Sequence, residues 1–299
     1  MKIQSLSYIS GKAIEALKRF PATIIASILS ALLGTYMIEK EHLIQNIFPY
    51  INALLSLALG IPLFFCVQIL SESRNFKKSV KFIAHGIALI LLVLIYFSLP
   101  TSEETMNTRI PYIRYGVYNI CIHLIISFVP FLGTQKVNGF WQFNKSLFIR
   151  ILAAALYSGV IYIGLIIALI TIEKLFGFHI NSKRFSELFI LIIGIFNTWF
   201  FVYGVPKNIK ELEFNQACPK GLKIFAQYVL LPLVTLYVAI LYTYIIRVVC
   251  QWDWPKGIIS WLISIFCSFG VLTFLLLYPY GKFEGKNWIN KWNKAFYYL

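Results

Sequence analysis

Apolar residues in this chain come in long unbroken runs, not in the alternation of a half-buried strand. Eight runs of 18 to 25 residues stand out: 21–38, 47–70, 82–99, 111–133, 148–172, 188–205, 224–248 and 258–280. A helix needs about 20 mostly apolar residues to cross roughly 30 Å of hydrocarbon. Its backbone amides find no water there, so each crossing must close its own hydrogen bonds. The pattern predicts an all-α polytopic transmembrane helical bundle of about eight spans, with residues 1–299 forming a single integral-membrane domain. Strands of an outer-membrane barrel would alternate, and these runs do not. About twenty polar and amphipathic residues precede the first run and no small-x-small cleavage site follows it, so it reads as a span and not as a signal peptide.

Two flanking segments have a different period. In residues 2–20, Ile3, Leu6, Ile9, Ala13, Ile14, Leu17 and Phe20 share one helical face. In the tail 283–299, Trp288, Ile289, Trp292 and Phe296 gather opposite Lys286, Asn290 and Lys294. Each is expected to lie in the headgroup layer as an amphipathic helix.

Composition reinforces the pattern. The chain is 59% hydrophobic and 13% charged, with mean hydropathy +0.74; soluble domains are about a quarter charged. Five cysteines, scattered through apolar runs, do not make a secreted disulfide framework. The net charge of +15 reads mainly as topology. With the N-terminus and alternate loops on one side, that side holds nineteen of the 27 Lys and Arg residues, among them Lys18, Arg19, Arg74, Lys77, Lys78, Lys81, Lys136, Lys207 and Lys210. Seven of the twelve acids fall opposite: Glu39, Glu41, Glu103, Glu104, Glu173, Glu187 and Asp253. The positive-inside rule then places both termini in the cytoplasm. The cations are spread over five short segments without a basic domain, so the expected partners are the bilayer and its anionic headgroups on the cytoplasmic side, and not nucleic acid.

Polar side chains inside hydrocarbon are costly and therefore informative. No Asp or Glu sits in the middle of any predicted span, which argues against coupling through a buried carboxylate. The fourth span is the most polar. Tyr112, Tyr115, Asn119, His123 and Ser127 are spaced 3, 4, 4 and 4, which stacks them on one helical face, and Arg114 starts the same helix. His123 falls near the bilayer centre. The stripe reads either as a hydrophilic path or ligand groove, or as a seam of interhelical hydrogen bonds. Asn197 and Gln227 are further intramembrane polar candidates, and Asp253 is the acid of the tightest outer loop, either a ligand group or a helix cap.

Other features read as packing. Ala26, Ser30 and Gly34 form a small-xxx-small stripe in the first span, and Ala155 and Gly159 another in the fifth. Gly60-Ile61-Pro62 and Pro232 are expected to kink the second and seventh spans. Cys66, Cys121 and Cys267 look like small apolar core residues. No H-E-x-x-H, G-x-S-x-G, Walker loop or paired metal-ligand spacing occurs. We therefore expect no catalytic residues, no cofactor and no metal.

Several stretches together carry a resemblance. They are Arg19-Phe20-Pro21; Tyr203-Gly204-Val205-Pro206-Lys207; the run from Cys218-Pro219-Lys220-Gly221 to Leu231-Pro232-Leu233; Trp252-Asp253-Trp254-Pro255-Lys256-Gly257; and Leu275-Leu276-Leu277-Tyr278-Pro279. The chain resembles the bacterial integral-membrane family described as domain of unknown function 4153, most specifically over 203–280. The resemblance implies a multi-pass protein of the bacterial cytoplasmic (inner) membrane, with no established activity to transfer. It also implies that family members continue into further spans beyond the position of Trp292. Two functions fit: a transporter-like or lipid-handling permease, or a non-catalytic subunit, scaffold or sensor with a membrane-protein partner.

Overall fold

The computed structural model describes residues 14–102, 110–134, 136–176, 179–214 and 231–252, with isolated positions beyond. Among the described residues the chain is helical, with turns and no strand. It divides into two compact units, Met1–Asn215 and Gln216–Leu299. In the first lie α1 (Pro21–Glu39), α2 (Phe48–Ser73), α3 (Lys78–Ser98), α4 (Ile110–Phe128) and α5 (Val137–Phe176). A sixth span, Lys183–Tyr203, is built from α6 (Lys183–Leu191), a π-helical turn (Ile192–Asn197) and α7 (Thr198–Tyr203). In the second unit, α8 runs from Leu231 to Gln251. Among the described residues six helices are long and apolar enough to cross a membrane, and these lie in the first unit. The segment expected as the eighth span lies outside the described residues except for isolated helical positions.

The large aliphatic side chains point the wrong way for water. Ile87, Ile90 and Leu94 of α3, Ile113, Ile120 and Leu124 of α4, and Leu156, Val160 and Ile163 of α5 are all exposed. Soluble monomers rarely show contiguous apolar patches above a few hundred Å². Lipid is the solvent that makes such a surface stable, and the protein is a multi-pass membrane protein.

Helices of the first unit alternate in direction, so their ends gather at two levels. At one end meet the start of α1, the end of α2, the starts of α3 and α5, and the end of the sixth span. The main apolar core sits toward this end, where Phe20 stacks on Phe65 at 5.3 Å and Phe65 meets Phe201 at 5.4 Å. Arg74 reaches across it to the carbonyl of Leu132. At the other end, Lys183 donates to the Ile38 carbonyl (2.9 Å) and lies 3.7 Å from Glu41, while Arg184 pairs with Glu187 (2.7 Å) and lies 3.6 Å from Glu39. We call these the basic and the acidic end.

Small residues set the tightest approach. Gly194, in the π turn, faces α1 so closely that a β-carbon there would lie 3.0 Å from the Ala31 Cβ, and one at Gly34 would lie 3.2 Å from Ile190. The expected α1 stripe is thus real but wider: Ala26 and Gly34 are buried, Ser30 is half-buried, and Ser27 and Ala31 join the face. In α5 the expectation is out by one position. Ala155 is exposed and Gly159 has open space beside it, whereas Ala154 and Ser158 are fully buried. A one-residue shift turns a helix by 100°, enough to move a stripe off its interface. Gly60 lets Leu92 of α3 approach to 3.0 Å of its would-be β-carbon, and α2 continues through Pro62 as one helix. Cys66 is buried, but Cys121 and Cys267 are exposed, so those two are not core residues.

Helix α5 starts 11 residues before the apolar run that announced it. Its 40 residues reach about 60 Å at 1.5 Å per residue, twice the hydrocarbon thickness. Its first turns are pinned at the basic end. Glu213 accepts the backbone N–H of Gly139 (2.6 Å), Asn138 donates to the Glu213 carbonyl (2.6 Å), and Asn144 donates to the Ser127 carbonyl (3.0 Å). A carboxylate at this end meets the positive pole of the helix dipole.

Candidate functional site

The polar face of α4 is present, and most of its donors are already engaged. Tyr112, Tyr115, Asn119 and Ser127 are half-buried; Arg114 and His123 are exposed. Tyr115 donates its hydroxyl to the Leu55 carbonyl of α2 (2.9 Å). Asn119 donates to the Tyr115 carbonyl (3.2 Å), and His123 Nδ1 to the Asn119 carbonyl (2.8 Å). That bond fixes the tautomer and leaves His123 Nε2 as a bare acceptor on the outer face of the helix. A hollow of about 340 Å³ between Phe128 and Phe140 and one of about 460 Å³ at Leu43–Tyr50 lie at the bundle ends, and neither includes a residue of the stripe.

Asn197 closes the π turn. It is half-buried, and its amide has no hydrogen-bond partner among the described residues. Thr235 is exposed on α8. Gln227 and Asp253 lie outside the described residues. The sequence-predicted candidates are therefore not brought into one constellation: six share α4, and Asn197 sits on another span. Among the described residues no three His, Cys, Asp or Glu side chains converge as metal ligands.

The densest polar network is at the basic end, around Arg19. Its Nε lies 3.0 and 3.2 Å from the two Glu72 carboxylate oxygens, and Nη2 donates to Glu72 Oε2 at 2.7 Å. Nη1 donates to the Val205 carbonyl and Nη2 to that of Pro206, both at 2.7 Å. Gln68 donates to Glu72 at 2.8 Å, and the guanidinium lies over the Phe20 ring at 4.7 Å. One side chain thus joins the start of α1, the end of α2 and the turn after the sixth span. Only a planar, five-donor fork can do this; an ammonium cannot. Lys207 pairs with Glu15 beside it. These groups line an open cleft of about 630 Å³, whose walls include Lys18, Ser71, Asn75, Phe76 and Lys81.

Two of the segments that Arg19 joins are the ones the sequence singled out, Arg19-Phe20-Pro21 and Tyr203-Gly204-Val205-Pro206-Lys207. A model of the family described as domain of unknown function (DUF4153) matches residues 19–299. The chain belongs to this family. An uncharacterized protein of Pasteurella multocida (strain Pm70), PM1469, is 23% identical over 216 residues, which cover 71% of this chain and 35% of that protein. The DUF4153 chain thus spans about a third of the length of this curated relative. No solved structure matches.

Sequence reasoning missed the residues that organise this end of the DUF4153 chain. Glu72 carries the Arg19 network and Glu213 holds the start of α5, and neither is an intramembrane carboxylate. A signal existed: both are among the few acids on the cation-rich side, where an acid needs a reason. Gly204 has one too. A β-carbon there would overlap the side chain of Arg150, which lies against the bare backbone. One turn therefore receives two arginines, Arg19 at its carbonyls and Arg150 at its glycine.

Proposed function

We propose that the chain is a transporter-like or lipid-handling permease of the bacterial inner membrane. In this reading it has eight spans, both termini are cytoplasmic, and it is not an enzyme. The observation that carries the reading is the π turn within the sixth span, which is helical from end to end. A π turn at mid-helix, closed by a half-buried amide with no hydrogen-bond partner among the described residues, is held against the small-residue face of α1. π turns widen a helix and recur at functional sites. An amide left unpaired in hydrocarbon would cost several kcal/mol, so a half-buried Asn197 with no partner among the described residues suits a polar visitor. Cation excess at the basic end supports its cytoplasmic placement beside anionic headgroups.

Substituted-cysteine labelling tests this. In a chain freed of its five native cysteines, Asn197→Cys is expected to react in whole cells with a small hydrophilic thiol reagent. So is at least one of Asn119→Cys and Ser127→Cys. No reaction at any of the three, with Ile120→Cys as lipid-facing control, would remove the aqueous path on which the permease depends.

A second reading has its own observation. His123 is exposed on the outer face of α4, and its Nε2 has no hydrogen-bond partner among the described residues, a costly group to show to lipid. A helix of a membrane-protein partner would satisfy it, as expected of a subunit or scaffold. A photo-crosslinking residue at 123 would then yield a discrete protein adduct in cells; lipid adducts alone would count against this reading.

A further inference from the structure

We propose that the cleft at the basic end is a stereospecific site for a phosphate group, and that its occupant is the phosphodiester headgroup of an anionic phospholipid. The inference sharpens the reading that the basic end faces anionic lipid, and it does not depend on transport.

Charge is the first argument. Four cations and two carboxylates line the cleft. Glu72 is consumed by Arg19 and Gln68, and Glu15 by Lys207. Lys18 and Lys81 remain: neither ammonium has a carboxylate partner among the described residues, and both belong to the wall. Lys18 is exposed and Lys81 half-buried on this open cleft, so an anion between them would gain charge-assisted hydrogen bonds from both.

Rigidity is the second. Lys18 directly precedes Arg19, whose five contacts fix the backbone at the start of α1. Lys81 is in the first turn of α3, its N–H bonded to the Lys77 carbonyl (3.0 Å). Between them the α2–α3 turn is pinned by Asn75, which adopts a left-handed conformation (φ 52°). With its amide turned to the orientation that satisfies both ends, Asn75 accepts from Lys210 Nζ at 2.9 Å. The lysine stems are thus presented by three fixed elements and not by a free loop, which lowers the ordering cost of binding.

Depth and lining decide the ligand. Every wall residue lies within about two turns of the end of an apolar run, on either side of it, near the level where the phosphates of a bilayer lie. The open cleft, about 630 Å³, has room for a glycerophosphate headgroup as well as for a bare phosphate. Phe76 adds an apolar wall on which an acyl-glycerol edge can rest.

The test uses the full chain purified in a zwitterionic detergent, with binding measured by native mass spectrometry. The probes are short-chain phosphatidylglycerol, short-chain phosphatidylcholine and inorganic phosphate. Phosphatidylglycerol is expected to bind with 1:1 stoichiometry and to lose about tenfold or more in affinity in Lys18→Gln/Lys81→Gln. Lys77→Gln/Lys78→Gln, which removes two exposed cations of the same surface outside the wall, is expected to bind as the parent does. Thermal unfolding of each variant confirms that it is folded. Equal losses in the two double variants, or none in either, would overturn the site. Inorganic phosphate binding as tightly as phosphatidylglycerol would overturn the lipid occupant while leaving the phosphate site. Binding as expected, with reporters placing this end in the periplasm, would defeat the orientation and not the site.

Discussion

At the scale of the residue, Arg19 is the position on which the first unit depends most. Its guanidinium satisfies two backbone carbonyls and a carboxylate at once, and the pair is mostly shielded, with side-chain exposures of 15% and 24%. Removing one partner leaves the other partly buried and unpaired. Arg19→Ala is expected to destabilise by about 2–4 kcal/mol, read as a lowered melting temperature in detergent. Arg19→Lys should recover less than half of that, because an ammonium cannot hold the Val205 and Pro206 carbonyls and the carboxylate fork together. A lysine variant as stable as the parent would show that charge alone is required. Gly139→Ala is expected to cost about 1–3 kcal/mol, since its β-carbon would lie 3.0 Å from a Glu213 oxygen and 3.1 Å from the Phe131 ring.

At the scale of the element, the sixth span and α1 act as a pair. Gly194→Val would push into Ala31 and is expected to cost about 1–3 kcal/mol; Ala31→Gly in the same chain should restore part of it, which a purely local effect in the π turn would not allow. The π turn should also exchange its amide hydrogens faster than α1 beside it, because its hydrogen bonds are less well formed. Elements were the most legible part of the sequence. Unbroken apolar runs marked the first six spans to within a few residues at most ends. The exception is instructive: residues 137–147 are helical and packed, but Gln142, Asn144 and Lys145 interrupt the hydropathy, so a composition-based reading starts α5 three turns late. The polar face of α4 was legible from spacing alone. That Tyr115 donates to a carbonyl of α2, and Asn119 and His123 to carbonyls of α4 itself, was not, because backbone acceptors carry no sequence signature.

At the scale of the molecule, the two ends differ in how their charge is used. Acids of the acidic end pair with Lys183 and Arg184, so the cations there are largely neutralised. At the basic end Lys18 and Lys81 have no carboxylate partner among the described residues, and this sharpens the asymmetry beyond what a count of cations conveys. Reporter fusions after Thr134 and after Lys40 are therefore expected to fall on opposite sides of the membrane, the first in the cytoplasm. The reverse result would overturn the orientation. What could not be read from the sequence was the convergence at this end. Arg19, Glu72 and Val205 are far apart in the chain, and only the antiparallel stacking of spans brings them to one level.

That convergence also sets an order of events during synthesis. Arg19 and Glu72 are 53 positions apart, whereas Arg19 and the Val205 carbonyl are separated by 186. At roughly 5–20 residues per second, the ribosome adds the intervening stretch only after on the order of ten to thirty seconds. Through that interval the nascent first hairpin holds its arginine by the carboxylate alone, with two donors still bare. The newborn bundle must therefore wait, half-latched, until its sixth helix arrives to lock the first.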